Sequence, residues 1–450
     1  MSRSRFHRGV TLFLALVVLA LGFAAVVGAP LSFDGAFFLF RVLDKHQFAA
    51  DHGRLINIAL QMPVLVATRY TESLAALRAL FSIAYVAVPF IGLAVSWMVC
   101  KARRPSLFIW PAMSICIASL PGQFSFHSEA IMAVTLLWPA ILAVLLGGSL
   151  LTLALVGVNS IAATASHPSA SMILAFIVAV AIGSAIIRSE TRRASLGFAL
   201  TIGGLLLARS LTRLDPYEGQ ALGVQTVILT FKNSVLGWPL AGIFFAIIAA
   251  TSCLLPKRRH ARTYLIASLS LAGVALVAWS SLPANWAGCL DYRYWVAPVS
   301  LPFMAAATVE TLWLRGSSEL ALENMRSLAL PLIGIIFFLV LSLQSFQWWV
   351  VSHRLAADLM RSDSGCISRK TVASIQGSAL DNWPVTVYAI EMQGREPRTL
   401  LLPNGLACKL FALSGDAILV DLTSFKVVRR HGDGWFDFER ARLSSGKAHR

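Results

Sequence analysis

The chain has 450 residues, of which 57% are hydrophobic and 13% charged, whereas soluble domains are about 45–50% apolar and about 25% charged. Its apolar residues stand in continuous runs, many of them near the length of about 20 residues that a helix needs to cross a bilayer. These features exclude a cytosolic enzyme, a disordered scaffold and a small secreted disulfide protein. They also exclude an outer-membrane barrel, whose strands alternate in polarity. The sequence therefore predicts an all-α polytopic membrane protein.

The formal net charge of +16 would suggest nucleic acid as a partner if the chain were soluble. Here the basic residues lie mostly in short clusters between apolar runs, as the positive-inside rule describes. We therefore assign the charge to membrane topology and to contact with anionic membrane lipids, and we expect no nucleic-acid partner.

The apolar runs predict eleven crossings, so that the two termini lie on opposite faces. Starting from a cytoplasmic N-terminus, every basic cluster between crossings then falls on the inner face, which favours this count. The first crossing is read as a retained helix because its apolar core is long for a cleaved signal peptide. The predicted crossings are 10–29, 80–100, 106–121, 130–147, 149–165, 171–187, 195–209, 234–255, 263–282, 294–314 and 328–345. Together they define a transmembrane domain at 1–345.

The residues from 346 to 450 differ in composition and predict a small C-terminal domain on the outer face, of α/β or β type. Four short runs, PVTVYAIEM, RTLLL, DAILVDL and FKVVRR, are separated by Gly, Pro and Asn and read as strands. Trp348-Trp349 at its start is typical of a membrane interface. Cys366 and Cys408 would lie in an oxidising space, where they either pair or stay buried as small apolar side chains.

The first outer loop, 31–78, predicts two juxtamembrane amphipathic helices. Asp34 directly follows the first crossing, within the run LSFDGAFFLF. A carboxylate at that position commonly does no more than stabilise a helix start. Its alternative role is that of a reactive group at the outer membrane surface.

The second of these helices carries a polar face. Arg54, Asn57 and Gln61 have the spacing of one helical face, with Leu55 and Met62 on another. We expect the three polar residues to line the same cavity as Asp34.

Two further outer turns carry ionisable residues next to apolar runs. His127 and Glu129 stand before and at the start of a predicted helix, where helix capping is the simpler interpretation. Asp291, Arg293 and Tyr294 precede the tenth crossing. The aromatic belt accounts for the tyrosine, but an outer arginine so close to apolar sequence indicates an anionic ligand.

This arrangement resembles the GT-C superfamily of integral membrane glycosyltransferases. The shared features are a cytoplasmic N-terminus, one helix, a long outer loop of two surface helices with an early acid, and an outer C-terminal domain. Many members also carry Arg-Tyr followed by spaced prolines at the start of a late helix, here Arg293-Tyr294 with Pro298 and Pro302. A single early acid replaces the tandem acidic pair of some members, so the resemblance does not extend to a metal site, and a divalent metal has no tandem acidic motif to support it.

The resemblance implies an enzyme of the bacterial inner membrane that moves a sugar from a polyprenyl phosphate to a glycan or lipid acceptor on the outer face. Asp34 would be the catalytic base and Arg293 would bind the donor phosphate. The remaining candidates would bind substrate: Arg54, Asn57, Gln61, His127, Glu129, Asp291 and Tyr294. The sugar, the acceptor, the stereochemistry and the oligomeric state are not specified by these motifs.

The main alternative is a transporter, polymerase or ligase of lipid-linked polysaccharide. A proton-driven carrier normally has ionisable residues or broken helices near the bilayer midplane. In this chain Glu310 is the one acid inside an apolar run, and it lies toward the inner end. A non-catalytic membrane subunit is a third class, against which the polar outer loops count.

Overall fold

The computed structural model describes most of the helical part of the chain and the central portion of the C-terminal segment. The described residues are 2–32, 34–49, 54–119, 128–147, 150–167, 170–187, 192–211, 292–312, 319–362, 366–376, 385–397, 399–402, 418–421, 426–429 and 436. Their helices are α1 Ser2–Val26, α2 Asp34–Lys45, α3 Ile56–Ala67, α4 Leu74–Cys100, α5 Ile109–Ser119, α6 Glu129–Leu146, α7 Leu150–Thr164, α8 Ala170–Ile187, α9 Arg192–Leu211, α10 Tyr292–Leu312, α11 Glu319–Arg361 and α12 Val385–Gln393.

Helices occupy nine of the eleven predicted crossings, and the runs at 234–255 and 263–282 lie outside the described residues. Five of the described helices are long and apolar enough to cross a membrane: Ser4–Val26, Leu74–Cys100, Glu129–Leu146, Ala170–Ile187 and Arg326–Arg361. The chain is thus a multi-pass membrane protein, and the total of eleven crossings stays a prediction. The two helices expected between residues 31 and 78 are present as α2 and α3.

The centre of the bundle is α6, which is buried along its whole length. A helix that is apolar on all sides fits only where other helices surround it, and α6 contacts α4, α5, α7, α8 and α10. Gly92 lets α4 come close, because a Cβ there would lie 2.8 Å from the Thr135 carbonyl oxygen of α6. Gly9 plays the same part where α1 lies along α11, since its Cβ would be 2.6 Å from the Ser327 carbonyl oxygen.

The helix ends fall into two groups, because each contacts other ends on the same side of the bundle. Helices that cross a membrane in alternating directions require such an arrangement. At the predicted inner end, the Arg326 guanidinium donates to both carboxylate oxygens of Glu310, at 2.9 and 2.8 Å, and to the Ser106 carbonyl oxygen at 2.9 Å. The Trp110 indole donates to the same carboxylate at 2.8 Å. The one acid of the apolar runs is therefore an ion-paired link between α10, α11 and the start of α5.

The start of the C-terminal segment differs in two respects from its sequence prediction. α11 continues without a break past residue 346 to Arg361, so the predicted domain boundary falls inside a helix. Trp348 is buried, with its indole donating to the Gly28 carbonyl oxygen at 3.1 Å, and only Trp349 is exposed as an interfacial residue would be.

The prediction of a strand at PVTVYAIEM is wrong, because this run forms α12. A short apolar run buried on most sides has no periodicity that distinguishes a strand from a helix. The other three runs contain strands: β2 Leu400–Leu402, β3 Ile418–Asp421 and β4 Lys426–Arg429. β2 pairs in parallel with β1 Cys366–Ser368, and α12 lies between them in the sequence, while β3 and β4 pair antiparallel. A parallel pair needs such a crossover, and the helix supplies it.

Candidate functional site

Asp34 is placed by a tight turn at the C-terminal end of α1. Gly28 has a φ of 71° and is followed by a single 3-10 turn, Ala29–Leu31. The next helix, α2, begins at Asp34, whose side chain is half-buried. Gly35 packs directly on the Pro30 carbonyl oxygen, so that a side chain larger than hydrogen has no room there. The turn thus fixes the start of α2, and with it the carboxylate, against the end of the first crossing.

The polar face predicted for α3 exists, and it points into the protein. Arg54 is 8% exposed and Asn57 1%, whereas Leu55 on the other face is 57% exposed and Met62 50%. An ordinary surface helix in water has the opposite arrangement. Such an inverted arrangement is stable where one side of the helix contacts lipid and the other side contacts polar partners within the protein.

The inward face of α3 meets a carboxylate at the start of α6. Arg54 forms an ion pair with Glu129 at 2.8 Å between its Nη1 and Oε2, and both side chains are buried. Asn57 donates from Nδ2 to Oε1 of Glu129 at 2.9 Å. Both oxygens of the carboxylate are therefore engaged, one by Asn57 of α3 and the other by Arg54, which directly precedes the N-cap residue of that helix.

The network continues through α4 to the chain between α2 and α3. The Tyr85 hydroxyl donates to Oδ1 of Asn57 at 3.1 Å, and Nε2 of Gln61 donates to that hydroxyl at 3.3 Å. Gln61 also pairs with the backbone of Ala49, accepting from its N–H at 2.8 Å and donating to its carbonyl at 3.1 Å. One buried chain of hydrogen bonds thus joins α3, α4, α6 and the α2–α3 connection.

Asp34 lies within electrostatic range of this network. Its carboxylate and that of Glu129 both act on the Tyr85 hydroxyl. Tyr85 was not singled out from the sequence, although a tyrosine inside an apolar run is a usable signal, because a buried phenol needs a hydrogen-bond partner.

Five of the predicted site residues are thus brought to the same end of the helical bundle: Asp34, Arg54, Asn57, Gln61 and Glu129. The backbone of Arg293 and Tyr294 lies in the first turn of α10, and their side chains fall outside the described part of the structure, as do His127 and Asp291. The side chains of Cys366 and Cys408 also lie outside it. Among the described residues, no three His, Cys, Asp or Glu side chains are grouped so that they could hold a metal ion.

The chain matches no family model, and no curated protein sequence and no solved structure is significantly similar to it. The resemblance to the GT-C glycosyltransferases therefore depends on the order of the helices and on short motifs.

Proposed function

We propose that the protein is a membrane glycosyltransferase, which moves a sugar from a polyprenyl phosphate to a glycan or lipid acceptor at the outer face of the membrane. The observation that carries the proposal is the half-buried carboxylate of Asp34 at the start of α2, next to a buried polar network at the end of the bundle that the positive-inside rule assigns to the outer face. Ionisable groups are costly to enclose in a membrane protein, so a half-buried carboxylate beside a polar network is by default a candidate functional group.

The two carboxylates of this region suit different tasks. Glu129 has both oxygens engaged, by Arg54 and by Asn57, so it links α6 to the start of α3. We therefore assign Glu129 and its partners to positioning: they hold α3 against α6 and α4. Asp34 receives the role of general base, which takes the proton from the acceptor hydroxyl as that oxygen attacks the sugar.

In the proposed reaction the acceptor oxygen forms a bond to the anomeric carbon while the bond from that carbon to the phosphate oxygen breaks. The proton passes to Asp34, and the electron pair leaves with the polyprenyl phosphate. Charge that develops on the phosphate is best stabilised by a fixed guanidinium. Arg293, in the first turn of α10, is our candidate for that contact on the strength of its sequence position.

Replacement of Asp34 by Asn tests the proposal, because Asn keeps the shape but cannot accept the proton. Loss of a general base lowers the rate by about 10²–10⁴-fold, whereas loss of a helix-start charge costs only about 0.3–1 kcal/mol of stability. We expect Asp34→Asn to fold, insert and bind donor, yet to transfer almost no sugar. The assay is transfer of a radiolabelled sugar from a polyprenyl phosphate to acceptors in native membranes.

Asp358→Asn is the matched control, because Asp358 is also half-buried and lies in the outer part of α11. It should transfer sugar at the wild-type rate. Transfer at that rate by Asp34→Asn would remove Asp34 from the mechanism. Movement of intact lipid-linked sugar across the membrane, with no release of polyprenyl phosphate, would favour the transporter alternative.

A further inference from the structure

A buried ionisable group that plays no part in the proposed reaction lies on α12, at the predicted outer end of the molecule. Glu391 of α12 is 1% exposed, and among the described residues neither of its carboxylate oxygens has a hydrogen-bond partner. α12 packs against α2 and α11 and against β2. The carboxyl group is therefore enclosed where the C-terminal segment meets the membrane domain.

The guanidinium whose charge acts on Glu391 is directed to other groups. The Arg78 guanidinium of α4 donates to the Tyr388 hydroxyl at 3.4 Å and to Met392 Sδ at 3.2 Å, and it lies over the Tyr388 ring at 5.6 Å from the ring centre. Its charge reaches Glu391, but it forms no hydrogen bond with it. Tyr388 also contacts Trp348 of α11, with ring centres 5.0 Å apart.

An ionised carboxylate cannot remain in such surroundings at low cost. Removal of a charge from water is strongly unfavourable unless the group is paired and hydrogen-bonded. Burial raises the pKa of Glu391 well above its usual range, and Arg78 offsets only part of that rise. Burial likewise raises the pKa of the Tyr388 hydroxyl, which stays neutral.

Of the elements packed against α12, α2 and α11 carry further ionisable residues, and β2 carries none. α4 also contacts α12 through Arg78, and that guanidinium is the one whose charge acts on Glu391. The other ionisable residues are Asp34, Arg41, Asp44 and Lys45 on α2, and His353, Arg354, Asp358 and Arg361 at the outer end of α11.

We propose that Glu391 is a proton-binding site that couples the docking of α12 to the pH on the outer side of the membrane. The docked helix holds Glu391 as a neutral carboxylic acid, and ionisation of that group favours release of α12 from α2 and α11. This inference goes beyond the glycosyl transfer proposed above and does not depend on it.

The sign of the effect follows from linkage. Glu391 has a higher pKa when α12 is docked than when it is undocked, so the docked state binds more protons. Docking is therefore strongest below about pH 4.5, where a solvated Glu carries its proton, and weakens as the pH rises from there to the raised pKa of the docked group. Because α12 packs on α2, the change would reach the helix that begins with Asp34.

Hydrogen exchange of the α12 backbone amides tests this coupling in the full-length protein, reconstituted in lipid nanodiscs. After correction for the intrinsic pH dependence of exchange, wild-type protection over residues 385–393 should fall as the pH rises. Glu391→Gln should be protected equally at every pH. Glu396→Gln, which removes an exposed carboxylate five residues further on, should behave as wild type.

Infrared difference spectroscopy supplies a second measurement that needs no stable variant. Wild type should show the carbonyl stretch of a buried protonated carboxylic acid, which disappears over the same pH range and is missing in Glu391→Gln. Protection of wild-type α12 that is independent of pH would overturn the proposal, as would pH dependence that persists in Glu391→Gln.

Discussion

The pairing of Arg54 with Glu129 sets the energetics of the candidate site at the scale of single residues. Both side chains are buried, and their charged atoms are 2.8 Å apart. Removal of one partner from a buried ion pair typically costs about 3–5 kcal/mol, because the other charge stays buried without its counter-ion. Replacing one partner of the pair should therefore destabilise the protein more than replacing both.

We expect Glu129→Leu to lower the thermal unfolding midpoint strongly in detergent, because Arg54 loses the carboxylate that neutralises it. The double variant Arg54→Met with Glu129→Leu should recover much of that loss, since no buried charge then remains. Equal destabilisation by the single and double variants would show that the charges are not coupled.

An exposed ion pair provides the control for this experiment. Arg395 and Glu72 are 2.9 Å apart, with side chains 50% and 77% exposed. Pairs of this kind contribute less than about 1 kcal/mol. Glu72→Leu should therefore leave the unfolding midpoint nearly unchanged.

At the scale of secondary-structure elements, close approach of helices depends on a few small residues. Gly92 of α4 faces the backbone of α6 at Thr135, and a Cβ would lie 2.8 Å from the carbonyl oxygen. Backbone atoms cannot move aside as a flexible side chain can, so the two helices would have to separate. α6 begins with Glu129, so this contact also supports the candidate site.

Gly92→Ala should destabilise the protein by about 1–3 kcal/mol, the usual cost of forcing an extra group into a packed interior. Gly183→Ala is the matched control, because Gly183 lies within α8 with open space around its Cβ position. The measurement is the thermal midpoint of both variants in the same detergent. Equal midpoints would mean that α4 and α6 do not pack as closely as the structure has them.

The first outer loop shows which properties of an element follow from its sequence. The spacing of Arg54, Asn57 and Gln61 predicts a shared helical face. Asn57 and Gln61 are both buried residues of α3, whereas Arg54 precedes the helix and points to the same carboxylate as Asn57. Which way that face points depends on what surrounds it. A surface helix in water would turn those residues outward, and here they are satisfied by α4 and α6 and so point inward.

At the scale of the whole molecule, alternating helix ends define two faces. Arg104 and Arg326 meet Glu310 at one end, and Trp348 meets Gly28 at the other. Residues 212–291, which contain two of the predicted crossings, lie outside the described part of the chain. The assignment of the basic end to the cytoplasm remains a prediction from the positive-inside rule.

A reporter that is active only outside the cytoplasm, fused after Arg450, should be active, because an odd number of crossings places the C-terminus opposite a cytoplasmic N-terminus. The same reporter fused after Arg104, which follows α4, should be inactive. Activity of the second fusion together with inactivity of the first would invert the topology. It would also move Asp34 and its neighbours to the inner face.

The sequence by itself determined that this is a multi-pass helical membrane protein and where most of its described helices lie. The reason is that a chain in lipid must satisfy its backbone hydrogen bonds within each segment, so apolar length alone predicts a helix. The same argument does not apply to the C-terminal segment in water, where the run that forms α12 was predicted as a strand.

Only the tertiary structure decided which polar residues meet. Arg54 and Glu129 are 75 positions apart, and Arg78 and Tyr388 are 310 apart, so no local spacing relates them. Their pairing follows from how α3, α4, α6 and α12 pack, since each buried polar group takes its partner from whichever element lies beside it. For the same reason the enclosure of Glu391 between the C-terminal segment and the membrane domain has no counterpart in the sequence pattern.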